Sequence, residues 1–124
     1  MSKNNIPSEE DFARAKAAIK KNDRGLSEVR ELILNQFGSR GVHELFVLFS
    51  PTTNCFGVYV FYRLIAQIEK GKQSGLAEEI VTAVFQALEK VGRGPRSSLN
   101  VVFEFDSHEN VENAYGGNYY DRLR

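Results

Sequence analysis

The sequence predicts an α+β domain: a small, mainly antiparallel sheet with helices packed on one side. Three observations carry this. Two apolar runs, Leu45–Phe49 and Cys55–Tyr62, are separated by five residues of turn chemistry. Residues 99–106 alternate apolar and mostly polar positions, the period of a half-buried strand. Segments around 26–37 and 78–90 repeat their apolar residues at helical spacing.

Along the chain, Ser8 is a good N-cap, and Glu9, Glu10 and Asp11 follow in the first turn, where carboxylates oppose the helix dipole. A helix from about Glu9 to Lys21 would carry Phe12, Ala15 and Ile19 on one face. Asn22, Asp23 and Gly25 break it. A second helix, about Leu26 to Phe37, presents Leu26, Val29, Ile33 and Phe37 and stops at Gly38. The two apolar runs form a hairpin through Ser50-Pro51-Thr52-Thr53-Asn54. Their apolar residues fall on both parities, so the sheet is buried on both faces or uses one for binding. Arg63–Lys70 fits strand or helix equally. Glu78 and Glu79 open the clearest helix, which carries Ile80, Val81, Val84, Phe85 and Leu88 and ends before Gly92. Gly92–Ser98 reads as a loop in which Arg93 and Arg96 are solvated, and Leu99–Asp106 is the last strand.

A chain of 124 residues accommodates one domain, taken as 1–124, and a content of 42% hydrophobic and 26% charged residues supports a folded core. Sixteen basic and sixteen acidic residues give no net charge, which argues against a general nucleic-acid or anionic-membrane binder. Cys55, the single cysteine, has no partner for an internal disulfide. No segment has the apolar length of a signal peptide or membrane span. The expectation is a cytoplasmic protein with no membrane, nucleic-acid or cofactor requirement.

Neutrality conceals an asymmetry. From Glu104 onward there are five acids, Glu104, Asp106, Glu109, Glu112 and Asp121, against Arg122 and Arg124. Tyr115, Tyr119 and Tyr120 lie among them. Tyrosine supplies broad contact area with a polar tip at low entropic cost, so this composition suits an interface. It suits equally a lid with rings packed down and acids in water, and a mixture of the two is expected, one ring inward and one outward.

Catalytic readings are weaker. Asp106, His108 and Glu109 place an imidazole between two carboxylates, a set that serves metal binding or acid–base chemistry. His43, the other histidine, lies before the first hairpin strand, with nothing in the sequence to bring it to His108. The bland alternative makes Asp106 or Ser107 the cap of a helix starting at Glu109. Cys55, among apolar neighbours, reads as a small hydrophobe rather than a nucleophile. Gly92-Arg93-Gly94 lacks the strand–loop–helix order of a phosphate cradle.

The stretch Val101-Val102-Phe103-Glu104-Phe105-Asp106-Ser107-His108-Glu109-Asn110-Val111, followed by Tyr115-Gly116-Gly117-Asn118-Tyr119-Tyr120-Asp121-Arg122-Leu123-Arg124, resembles the end of some small bacterial immunity proteins. Those proteins accompany polymorphic toxins, including contact-dependent growth inhibition systems. The upstream order of elements is similar to the YezG-like immunity group. The resemblance implies a non-enzymatic cytoplasmic protein that neutralises one cognate toxin, often a nuclease with a basic active site, by covering its functional surface. On that reading Glu104, Asp106, Glu109, Glu112 and Asp121 supply complementary charge, and Tyr115, Tyr119 and Tyr120 supply anchors. Two other readings stay open: a small metal-dependent enzyme using Asp106, His108 and Glu109, and a self-associating ligand-binding module.

Overall fold

The computed structural model describes residues 22–124; the helix expected from about Glu9 to Lys21 lies outside them. The described chain runs α1 (Leu26–Phe37), β1 (Val42–Ser50), β2 (Cys55–Tyr62), α2 (Ala66–Ser74), α3 (Leu76–Lys90), β3 (Val101–Ser107), α4 (His108–Tyr115) and α5 (Tyr119–Leu123). Helices and strands are largely segregated along it, and the fold is α+β.

The sheet has the order β1-β2-β3. β1 and β2 pair antiparallel through the expected hairpin, with Ser50 opposite Cys55 and Asn54 in the left-handed region (φ 51°) at the turn's exit. β3 pairs with β2 in parallel, so the sheet is mixed rather than mainly antiparallel. The cause lies in residues 63–98. Arg63–Lys70, equivocal by pattern, enters a helix at Ala66, and α2 and α3 together carry the chain back to the end of the sheet where β2 began.

Register sorts the strands into two faces. Leu45, Val47 and Phe49 lie opposite Val60, Val58 and Phe56, which in turn neighbour Phe105, Phe103 and Val101. This face meets Leu26, Val29, Ile33 and Phe37 of α1 and Ile80, Ala83, Val84, Ala87 and Leu88 of α3 in one core. The α1 stripe is the one the helical periodicity picks out; in α3 Ile80, Val84 and Leu88 are buried as expected, but Ala83 and Ala87 complete the stripe while Val81 and Phe85 are only half-buried. α3 stops where Gly92 takes φ 87° and the Arg93 amide returns to the Leu88 carbonyl at 2.9 Å. The Gly92–Ser98 arginines are not simply solvated. Arg93 donates to the Arg24 carbonyl at 3.0 Å with its guanidinium 5.4 Å from the Phe49 and Phe56 rings, and Arg96 lies 4.3 Å over Phe85.

Gly71, buried within α2, is there for want of space. A Cβ at this position would stand 2.6 Å from the Tyr62 hydroxyl oxygen, on a fully buried ring stacked on Phe105. Gly71→Ala is therefore expected to destabilise the protein by about 1–2 kcal/mol although alanine is the better helix former. In urea denaturation, Tyr62→Phe added to Gly71→Ala should recover most of that loss; no recovery would contradict the contact.

Candidate functional site

The second face of the sheet is built in rows. Glu44, Phe61 and Asp106 form the first; Phe46, Tyr59 and Glu104 the second; Leu48, Gly57 and Val102 the third. Ser50 and Cys55 begin a fourth beside the hairpin turn. The C-terminal segment covers the first two rows and leaves the others bare.

This cover follows from local sequence. β3 ends at Ser107, whose fully buried hydroxyl accepts from the Asn110 amide at 3.0 Å and caps α4. Gly116 and Gly117 turn the chain in the left-handed region, and Asn118 caps α5 by accepting from the Asp121 amide at 3.1 Å. α5, unlike α1 and α3, therefore lies on the second face. Tyr119 sets its ring edge-on to Phe61 at 4.9 Å between centroids and 5.5 Å from Phe46. Arg122 spans two rows: Nε donates to Asp106 Oδ2 at 2.6 Å and Nη2 to Glu104 Oε1. Its guanidinium also sits 5.7 Å from the Phe61 ring centre. Burial works against the Arg122 charge, but the hydrogen bonds it donates to Asp106 and Glu104, with the charge of those carboxylates, outweigh it and hold its pKa above the ordinary value.

The acids singled out by sequence divide accordingly. Asp106 is spent within the chain, on Arg122, the Asn110 side-chain amide at 3.1 Å and the Ser107 amide at 2.8 Å. Glu109 accepts from the Ile65 amide at 2.9 Å, tying α4 to the entry of α2. Glu112 faces His108 at 3.4 Å, Asp121 faces Arg124 at 3.5 Å, and both are exposed. Glu104 touches Arg122 but keeps half its side chain in solvent. Of the tyrosines, Tyr119 is turned inward, Tyr115 is exposed, and Tyr120 is 72% exposed.

The Asp106, His108, Glu109 trio does not converge. His108 is the first residue of α4, whereas Asp106 lies on β3, and each side chain has different partners. Among the described residues, no group of three or more His, Cys, Asp or Glu side chains is placed to hold a metal ion. His43 does meet His108, contrary to expectation. It is the extra residue of a bulge between Val42 and Glu44, and its ring centroid lies 4.2 Å from that of His108. Strand pairing across the sheet, invisible in the chain order, brings the two together.

His108 Nδ1 lies 2.7 Å from the Tyr119 hydroxyl. Burial, with Glu44, Glu112 and Asp106 nearby, pushes the Tyr119 pKa up to about 12, so the hydroxyl keeps its proton at neutral pH. His108 Nε2 faces Glu112 Oε1 at 3.4 Å. Burial, His108 and Arg63 lower the His43 pKa from its usual 6.5, against a smaller opposing effect of Glu44. The sign follows: the unfolded chain binds a proton at this site more readily than the fold, so the contribution is complete above pH 6.5 and is lost as pH falls through the lowered folded value. Melting temperature should drop between about pH 7 and pH 5, and less steeply in His43→Gln. Parallel curves would refute this role.

The bare part of the second face is apolar. Leu48 is 46% exposed and Val102 63% exposed, and the Tyr59 ring lies over Gly57 between them. A Cβ on Gly57 would stand 3.1 Å from that ring, so glycine lets the tyrosine lie flat along the strand. Together with Ser50, Thr53 and Cys55 they line an open groove of about 380 Å³. Sequence reasoning left the use of this face open and named none of these residues as functional. The signal was present in the apolar residues on both parities of the hairpin.

Among the described residues, no helix is long and apolar enough to cross a membrane. No protein-family profile, curated protein or solved structure matches the chain.

Proposed function

We propose that the protein is an immunity protein: it binds a cognate toxin domain, of the nuclease type used in contact-dependent growth inhibition, and neutralises it by covering the toxin's functional surface. One observation carries the binding reading. Leu48 and Val102 stand exposed on either side of Gly57 in one row across three strands, and the half-buried Tyr59 ring lies over that glycine between them. Contiguous exposed apolar surface on a small protein marks a contact site. The resemblance of the 101–124 stretch to immunity-protein ends gives the contact its purpose.

On this reading the apolar rows form the centre of the interface. Glu104, next to the row of Val102 on the same face, and Tyr120 supply polar and aromatic rim groups. The electrostatic contribution is smaller than the acid count of the C-terminal stretch suggests, because Asp106 and Glu109 are engaged by the protein's own groups. Affinity then comes mainly from the apolar centre, and the remaining exposed acids Glu104, Glu112 and Asp121 adjust the association rate.

The experiment is co-expression. The polypeptide encoded beside this protein is produced in bacteria with and without it, and growth and complex formation are measured. Restored growth with a stable one-to-one complex supports the proposal. Failure to bind, with a symmetric dimer by light scattering, would instead favour the self-associating module.

A further inference from the structure

A second hollow lies behind the other face of the sheet, where the end of β2 meets α2 and the start of α3. Its volume is about 220 Å³, and Arg40, Tyr62, Gln67, Lys70, Gly71 and Ser74 line it. At its inner wall stands Tyr62, 0% exposed. Among the described residues nothing forms a hydrogen bond with its hydroxyl, the one buried side-chain polar atom left unpaired. Buried hydroxyls in native proteins are almost always paired, since desolvation is otherwise uncompensated. Phenylalanine would stack on Phe105 equally well, so packing does not account for the oxygen.

The surrounding groups define what the oxygen would meet. Lys70 brings a positive charge, with no carboxylate paired to it among the described residues. Arg40 is neutralised by Glu79, both guanidinium arms donating at 2.9 Å. Gln67 uses its carbonyl oxygen to accept from the Leu64 amide at 2.7 Å, which leaves its NH2 as a donor. Burial raises the Tyr62 pKa, so the phenol also stays a donor at neutral pH. The lining of the hollow thus includes three donor groups, the Tyr62 hydroxyl, the Gln67 amide and the Lys70 ammonium, and among the described residues no carboxylate is paired with that ammonium.

We propose that this hollow binds a small oxyanion, a carboxylate or phosphate group, with the Tyr62 hydroxyl and the Lys70 ammonium as its main ligands. The site lies on the opposite side of the sheet from the exposed apolar rows and does not depend on the toxin-binding reading.

The test titrates inorganic phosphate and, separately, acetate into the protein at constant ionic strength, following the backbone amides of Gly71 and Ser74 by NMR and the melting temperature. Saturable shifts at these amides with a millimolar dissociation constant are expected, together with a rise in melting temperature. Comparing the two anions separates a phosphate site from a carboxylate site. Tyr62→Phe should fold with at least wild-type stability and bind about ten-fold more weakly, and Lys70→Gln should weaken binding as well. Two results would overturn the proposal: no saturable shift with either anion up to about 50 mM, or equal affinity in Tyr62→Phe. Either would leave the hydroxyl with an ordered water as its only partner.

Discussion

Arg122→Ala is expected to lower stability by about 3 kcal/mol, a fall in melting temperature on the order of 10 °C. The Arg122 and Asp106 side chains are 14% and 13% exposed, so removing the guanidinium strands a carboxylate in a half-apolar setting beside Phe61. Much of the loss is this uncompensated charge rather than the attraction itself. Adding Asp106→Asn to Arg122→Ala should therefore recover a substantial part of it. Glu104→Gln, at a side chain 52% exposed, should cost less than about 1 kcal/mol. Thermal denaturation of the four proteins checks the ordering. A cost for Arg122→Ala no larger than that for Glu104→Gln would mean that α5 is not anchored through this residue.

The same substitution has a consequence for the surface. Arg122 and Tyr119 hold α5 over Phe46 and Phe61. Loss of the anchor extends the exposed apolar area from the third row of the sheet into the first and second. Arg122→Ala should accordingly aggregate more readily than its stability alone would suggest.

The second large effect concerns binding. Leu48→Asp combined with Val102→Asp should weaken the complex with the toxin domain at least about 100-fold and abolish growth protection. Both side chains are exposed, so stability should stay within about 0.5 kcal/mol of wild type. Glu112→Ala with Asp121→Ala removes two exposed carboxylates and should change affinity only a few-fold, mainly through the association rate. Isothermal titration calorimetry with circular dichroism on the same samples separates lost contact from lost fold. The reverse ordering would return the interface to the acidic C-terminal stretch.

Much of the framework is legible in the sequence because it rests on local periodicity. The stripes Leu26–Val29–Ile33–Phe37 and Ile80–Val84–Leu88 are buried together, and the hairpin turns at 51–54. Three features escaped because they are non-local. The direction of β3 depends on how far the α2–α3 crossover carries the chain, and a strand's own pattern is the same in parallel and antiparallel pairing. The fate of the acids depends on Arg122, sixteen residues from Asp106 and brought back by the Gly116–Gly117 turn. Counting charges from Glu104 to Arg124 detects the excess of acid but not that a single guanidinium holds two of its members. The meeting of His43 with His108 has the same origin: one bulge residue and one helix start, joined only by the sheet.

The candidate site shifts for that reason from the charged end toward the bare rows of the sheet. Of the eight residues marked by composition, Asp106, Glu109 and Tyr119 serve the fold. Glu104 and Tyr120 remain available at the rim of the exposed apolar surface. Apolar residues on both faces of the hairpin, ambiguous between full burial and a binding face, turn out to include an uncovered Leu48.

Hydrogen exchange of the protein, alone and with the neighbouring toxin domain, tests the central claim most directly. The account predicts new protection in residues 48–50 and 101–104, on the two edge strands, with little change at 109–116. Protection confined to the C-terminal acidic stretch, or none anywhere on the sheet, would contradict it.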